Sequence, residues 1–145
     1  MDEINADDKK LIYADITYNV RGAIFNVYNE LGFGHKESLY QKALMQEFDI
    51  KNIPYEQEVN LQVNYKGNHI GNYHPDFVIE GKVVLEIKAL EFMAKTFETQ
   101  LIHYLKTTGY HLGLLVNFGA PQIYIRRLIW TGNSMKNQRE SIINQ

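Results

Sequence analysis

The segment Val83-Val84-Leu85-Glu86-Ile87-Lys88 constrains this chain more than any other. Its β-branched and aliphatic residues describe a strand covered on both faces, the kind found at the centre of a sheet, yet it carries two charges. Glu86 and Lys88 stand two apart, so both side chains leave the strand on one face, in surroundings that otherwise demand burial. Charge at that depth has to be paired or bound to something. A lone Glu-x-Lys on a strand is ordinarily a structural ion pair; Pro75-Asp76, ten residues upstream of Glu86, gives this one a second reading.

Whether Asp76 can meet Glu86 depends on the turn at Glu80-Gly81-Lys82. A two-residue loop at Glu80-Gly81 pairs Ile79 with Lys82, sets Asp76 against Leu85 and sends Glu86 to the opposite face. A three-residue loop, Glu80 to Lys82, pairs Ile79 with Val83 and sets Asp76 opposite Glu86, an outcome that one bulge in the shorter hairpin would also give. The second register is predicted. Pro75 cannot donate to a ladder, which suits an interruption just before Asp76. Two adjacent carboxylates repel, and a divalent cation relieves them. Hard oxygen ligands without Cys or a paired-His motif favour Mg²⁺ or Mn²⁺ over zinc.

Around that segment the hydrophobic period changes twice. Ile12, Ile16, Val20, Ala23, Ile24, Val27 and Leu31 form one helical stripe that stops at Gly32-Phe33-Gly34. A second helix is predicted from near His35–Ser38 through Tyr40, Leu44 and Phe48, ending before Asn52-Ile53-Pro54. From Glu58 the period becomes two, Gly67-Asn68 marks a hairpin, and the chain returns in one strand through Ile70 and Tyr73 to Ile79. After Lys88 come a helix over about 95–108 and strands over 111–118 and 122–130. The predicted fold class is α/β in the order ααβββαββ, with helices flanking a central mixed sheet and a strand, helix, strand crossover inside it.

The 145 residues can bury one sound core and not two, so residues 1–145 are read as a single domain with its core at about 12–130 and a polar tail at 131–145. Fifteen Lys and Arg against 17 Asp and Glu leave a formal charge of −2, which advertises no global basic field for nucleic acid. Such binding needs a local patch or a bridging metal. The absence of Cys excludes disulfides, thiolate metal sites and thiol catalysis, and suits a reducing compartment. No run approaches about 18 uninterrupted apolar residues, so no membrane partner is expected and the expected location is cytoplasmic.

Two further groups join the carboxylates. Glu37 falls in the first turn of the second helix, beside the inward stripe of Tyr40 and Leu44; favourable interaction with the helix dipole is the plain alternative. Gln100 and Tyr104 are four apart on the third helix, where an amide and a phenol on one face could orient a phosphate, a base or a water. His74, His103 and the Arg126-Arg127 pair are weaker candidates, explained as readily by ordinary surface or sheet positions.

Asp76 with Glu86-Ile87-Lys88 resembles the PD-(D/E)XK nuclease superfamily, and Gln100 to Tyr104 resembles the QxxxY element of some of its branches. Gly34-x-x-Glu37-x-x-Tyr40 is similar to the signature of the small GxxExxY proteins assigned to that superfamily. The resemblance covers roughly residues 16–129, and its specificity lies in the order and spacing of the four motifs.

The resemblance implies a restriction-endonuclease-like core and a metal-dependent nuclease acting on DNA, with RNA as the second choice of substrate. It implies that Asp76 and Glu86 hold Mg²⁺ or Mn²⁺ with the backbone carbonyl of Ile87, and that Glu37 adds a ligand or holds a water at the ion. Lys88 then positions or activates water, and Gln100, Tyr104 and Tyr40 bind substrate. Chemically this agrees with metal-assisted phosphodiester hydrolysis. A symmetric homodimer is expected by analogy with other small nucleases. The competing reading is a non-catalytic module that binds nucleic acid or oligomerises on the same scaffold.

Overall fold

The structure is a computed structural model and describes residues 12–131. Helix α1 (Ala14–Leu31) buries Thr17, Val20, Ala23, Ile24 and Val27 on one face and stops at Gly32, whose φ of 68° no β-carbon favours. Helix α2 (Glu37–Ile50) buries Tyr40, Leu44 and Phe48 at four-residue intervals. Five strands follow: β1 (Tyr55–Gln57), β2 (Leu61–Tyr65), β3 (Asn68–Tyr73), β4 (Phe77–Ile79) and β5 (Val83–Lys88). Helix α3 (Thr96–Thr108), β6 (Leu112–Asn117) and β7 (Tyr124–Ile129) complete the elements of the described residues. Of the polar tail expected at 131–145, everything from residue 132 lies outside the described residues.

The main sheet has the order β1-β4-β5-β6-β7, with β5 and β6 parallel across α3 and the other pairs antiparallel. This is the mixed α/β architecture expected from the sequence, with two corrections to the strand count. The single return strand expected from Ile70 to Ile79 is broken at residues 74–76, because Pro75 offers no N–H to a ladder. Its first half pairs with β2 in a separate two-stranded sheet, and its second half enters the main sheet as β4. In addition, Tyr55–Gln57 adds an edge strand on β4. With three residues, two of them polar and exposed, it leaves no periodic signal.

The β4–β5 register is the predicted one. Ile79 pairs with Val83 and Phe77 with Leu85, leaving Glu80, Gly81 and Lys82 as a three-residue loop. Glu80 and Gly81 both take positive φ, 52° and 67°, and Lys82 N–H closes the loop on the Ile79 carbonyl. The ladder ends at Phe77–Leu85; Asp76 lies just beyond it, and its carboxylate accepts the Ile87 N–H next to Glu86.

Both faces of β5 are covered. Val83, Leu85 and Ile87 pack into the larger core beneath α1 and α2, while Val84 packs with Tyr73, Leu101, Leu105 and Leu115 beneath α3. The same alternation directs Glu86 and Lys88 to the α3 face. Among the described residues no helix is long and apolar enough to cross a membrane.

The exit of β5 is clamped by Asn117, which is 1% exposed. Its Oδ1 accepts from Leu90 N–H at 2.8 Å and from Gly119 N–H at 3.1 Å, and its Nδ2 donates to the Leu90 carbonyl at 2.9 Å. A Cβ at Gly119 falls 2.2 Å from Leu90 N, so backbone meets backbone here with no room for a side chain. Asn117→Ala strips two backbone groups of Leu90 of their partners and is expected to cost roughly 3 kcal/mol in urea unfolding. Gly119→Ala, which forces the clamp apart, is expected to be at least as damaging.

Candidate functional site

Four elements converge at the carboxyl end of β5. Asp76 arrives on the broken approach to β4, Glu86 and Lys88 on β5, Glu37 and Gln41 on the first turns of α2, and Gln100 and Tyr104 on α3. Asp76 is held at both oxygens: one accepts the Ile87 N–H at 2.7 Å, the other the Gln41 side-chain amide at 2.6 Å. Glu86 Oε1 accepts the Tyr73 hydroxyl at 2.6 Å, and the Tyr73 ring lies parallel to Tyr104 at 3.9 Å. Tyr73, Glu86, Lys88, Gln100 and Tyr104 surround a recess with about 20 Å³ of room, enough for one water. Behind Asp76, a larger cleft of about 470 Å³ is walled by Gln41, Gln57, Glu58, His74 and Pro75.

The electrostatics tie these groups together. Burial, reinforced by the charges of Asp76 and Glu37, pushes Glu86 up to about 7 against the opposing Tyr73 hydrogen bond and Lys88. Burial raises Asp76 as well, opposed by the Ile87 N–H, the Gln41 amide and Lys88. Glu37 is raised by burial and by Asp76, and lowered by Lys88. Burial and Glu86 push the Tyr73 phenol far up, so it stays a donor at any physiological pH. The three carboxyls thus feel one another and share one ammonium.

That ammonium is not spent in an ion pair. Among the described residues no contact salt bridge joins Lys88 to an acid, and its Nζ sits 4.6 Å from the centre of the Phe97 ring. The ordinary explanation for Glu-x-Lys on a strand, a contact pair, is therefore not the arrangement adopted.

The donor set fits a hard divalent cation. Among the described residues no three Asp, Glu or His side chains are already grouped tightly enough to cage an ion. Mg²⁺, however, characteristically takes one or two carboxylates and fills its remaining positions with water and substrate phosphate. Asp76 and Glu86 would supply two hard oxygen ligands, and a cation between them would relieve the repulsion that Asp76 exerts on Glu86. The Ile87 carbonyl is directed to the same side: backbone groups alternate along a strand, Lys88 C=O accepts from Phe118 on the β6 side, and Ile87 N–H meets Asp76 on the other.

Of the residues singled out by sequence, Glu86, Lys88, Gln100 and Tyr104 line the recess, Glu37 and Asp76 are linked to Glu86 and Lys88 by their charges, and Tyr40 lies in the core instead. Tyr40 is fully buried, stacks on Phe118 at 4.4 Å, and donates its hydroxyl to the Gly32 carbonyl at 2.6 Å while accepting from His35 N–H. Its expected role in substrate binding is corrected to one of position: it fixes the turn from which Glu37 starts. His74 lines the cleft beside Asp76. His103 is exposed on α3. Arg126 pairs with Glu98 at 3.1 Å, and Arg127 donates to the Ile12 carbonyl, so neither points to the recess.

Two residues that hold the carboxylates had no motif to announce them. Gln41 lies four residues beyond Glu37 on one helix, a spacing that does place the two on a common face. Tyr73 reads in the sequence as one more apolar strand position, since its contact with Glu86 crosses between two sheets.

No curated protein matches the chain. Among solved structures, one titled "Crystal structure of SSO0001" is similar with a TM-score of 0.42 and 18% identity, over 89% of this chain and 85% of that one. The model of the PD-(D/E)XK nuclease superfamily matches residues 14–128, from the start of α1 into β7. The match takes in every element that contributes to the recess, and the chain belongs to the PD-(D/E)XK nuclease superfamily.

Proposed function

We propose that this protein is a divalent-metal-dependent nuclease of the GxxExxY kind, hydrolysing phosphodiester bonds of DNA at Asp76, Glu86 and Lys88. The observation that carries the proposal is the Asp76 carboxylate seated on the Ile87 N–H, its charge felt by Glu86, beside a Lys88 ammonium that makes no contact salt bridge among the described residues. Asp76, Glu86 and the Ile87 carbonyl would hold Mg²⁺ or Mn²⁺, with Glu37 as a further ligand or as the acceptor for a water. The bound cation supplies charge neutralisation at the phosphodiester and acidifies a water.

The chain's own groups do the rest. Lys88, half-buried and in no contact salt bridge among the described residues, is available to donate to the attacking water or to a phosphate oxygen as negative charge develops there. Gln41 and the Ile87 N–H fix Asp76, and Tyr73 fixes Glu86, so the ligands are oriented before substrate arrives. Gln100 lines the recess beside Lys88, and in this reading its amide binds substrate at the mouth of that recess. A cytoplasmic location, supported by the cysteine-free sequence, and a symmetric homodimer, supported by analogy with small nucleases, complete the proposal.

Incubation with single-stranded, duplex, flap and junction DNA, and with RNA, tests it. Cleavage of at least one DNA substrate with Mg²⁺ or Mn²⁺, abolished by EDTA, is the expected result. DNA affinity without cleavage of any substrate contradicts turnover and supports a binding module instead.

A further inference from the structure

The β2–β3 hairpin takes no part in the main sheet. Leu61 and Val63 lean against the small core under α3, but further along Tyr65 and Ile70 stand 59% and 65% exposed. Between Val63 and Asn64 the register slips: the ladder passes from Val63–Gly71 to Asn64–His69, with Ile70 as the extra residue. A bulge of this sort re-aims the strand beyond it. The tip turns at Lys66 and Gly67, both at positive φ, and the Lys66 ammonium lies 5.4 Å from the Tyr65 ring centre.

The composition of this segment departs from that of the whole. From residue 59 to 75 there is no Asp or Glu, although the chain as a whole carries a charge of −2. Asn60, Gln62, Asn64, Asn68 and Asn72 supply amides, and Lys66 supplies a positive charge. A polyanion approaching an acidic centre meets repulsion unless neutral donors and cations line its path, and amides and Lys are among the side chains that contact nucleic-acid backbone. The hairpin is also continuous with the site: its last residue, Tyr73, donates to Glu86 and stacks on Tyr104. An exposed aromatic with a cation above it, on an acid-free arm rooted in the recess wall, matches the stacking platforms that hold unpaired bases.

We propose that the β2–β3 hairpin is a DNA-engaging arm, in which Tyr65 and Ile70 pack against bases or sugars while Lys66 and the neighbouring amides contact the phosphate backbone. The choice of DNA as occupant rests on the nuclease reading.

The test is fluorescence anisotropy of a labelled oligonucleotide, single-stranded or duplex, titrated with protein in EDTA so that binding is read without cleavage. The combined variant Tyr65→Ala, Lys66→Glu, Ile70→Ser is expected to raise Kd about tenfold or more and to leave hydrolysis of a small phosphodiester such as bis(p-nitrophenyl) phosphate unchanged. Circular dichroism and thermal unfolding confirm that the variant folds. Independently, benzoylphenylalanine at position 65 is expected to cross-link to DNA on irradiation. An unchanged Kd, a wild type that does not bind DNA, absence of the cross-link, or a variant that loses only self-association overturns the proposal. If the variant loses DNA affinity while the wild type cleaves nothing, the arm stands and the nuclease reading falls.

Discussion

Lys88→Ala is expected to lower the single-turnover rate of DNA cleavage by about 10²–10³-fold or more while leaving the fold in place. The ammonium makes no contact salt bridge among the described residues, and it sits over the Phe97 ring, an interaction worth about 1–2 kcal/mol at a half-buried site. Little stability is therefore lost with it. What disappears is a cation that opposes the raised titration of Glu37, Asp76 and Glu86 alike. The variant should still bind metal, with its carboxyls holding protons to higher pH than in the wild type. Urea unfolding and metal titration separate these effects from the chemical step. A variant that cleaves at the wild-type rate removes Lys88 from the mechanism.

Glu86→Gln is expected to stabilise the metal-free protein above neutral pH and to abolish cleavage. Burial and the neighbouring acids raise the Glu86 carboxyl to about 7 in the folded state, against an ordinary value of 4.5. The folded state then holds this proton more tightly than the unfolded chain does, so stability falls as pH rises from about 4.5 through 7 and levels off above. At about 1.4 kcal/mol per pH unit, that gap is roughly 3 kcal/mol. Asp76 and Glu37 are raised too and steepen the wild-type profile in the same direction. Glutamine keeps an acceptor for the Tyr73 hydroxyl and titrates nothing. Its advantage should appear in urea unfolding at pH 8 and vanish near pH 4, and added Mg²⁺ should stabilise the wild type but not the variant. Equal destabilisation at both pH values contradicts the account.

These predictions depend on a pairing that the sequence made legible through its turn. Glu80-Gly81-Lys82 fixes the register, the register brings Asp76 to the Ile87 N–H beside Glu86, and alternation along β5 carries Lys88 to the same face as Glu86. The helices were readable for a comparable reason, since their stripes and glycine stops are local. What remained hidden depends on contacts between elements. Pro75 signalled an interruption, but its consequence, a return strand shared between two sheets, is decided by which neighbours accept each half. Tyr40 shares a motif with Glu37 yet continues the Leu44 and Phe48 stripe, and burial outweighs motif membership there. Tyr73 meets Glu86 across a sheet boundary, a contact that no spacing within the chain records.

The metal titration tests the central claim, that Asp76 and Glu86 together bind one divalent cation, most directly. Calorimetric titration with Mn²⁺ at pH 6, in two buffers of different ionisation enthalpy, should show binding by the wild type with net proton release, because Glu86 is largely protonated there. Asp76→Asn and Glu86→Gln should each abolish that binding. Equal Mn²⁺ affinity in the wild type and both variants would contradict the account.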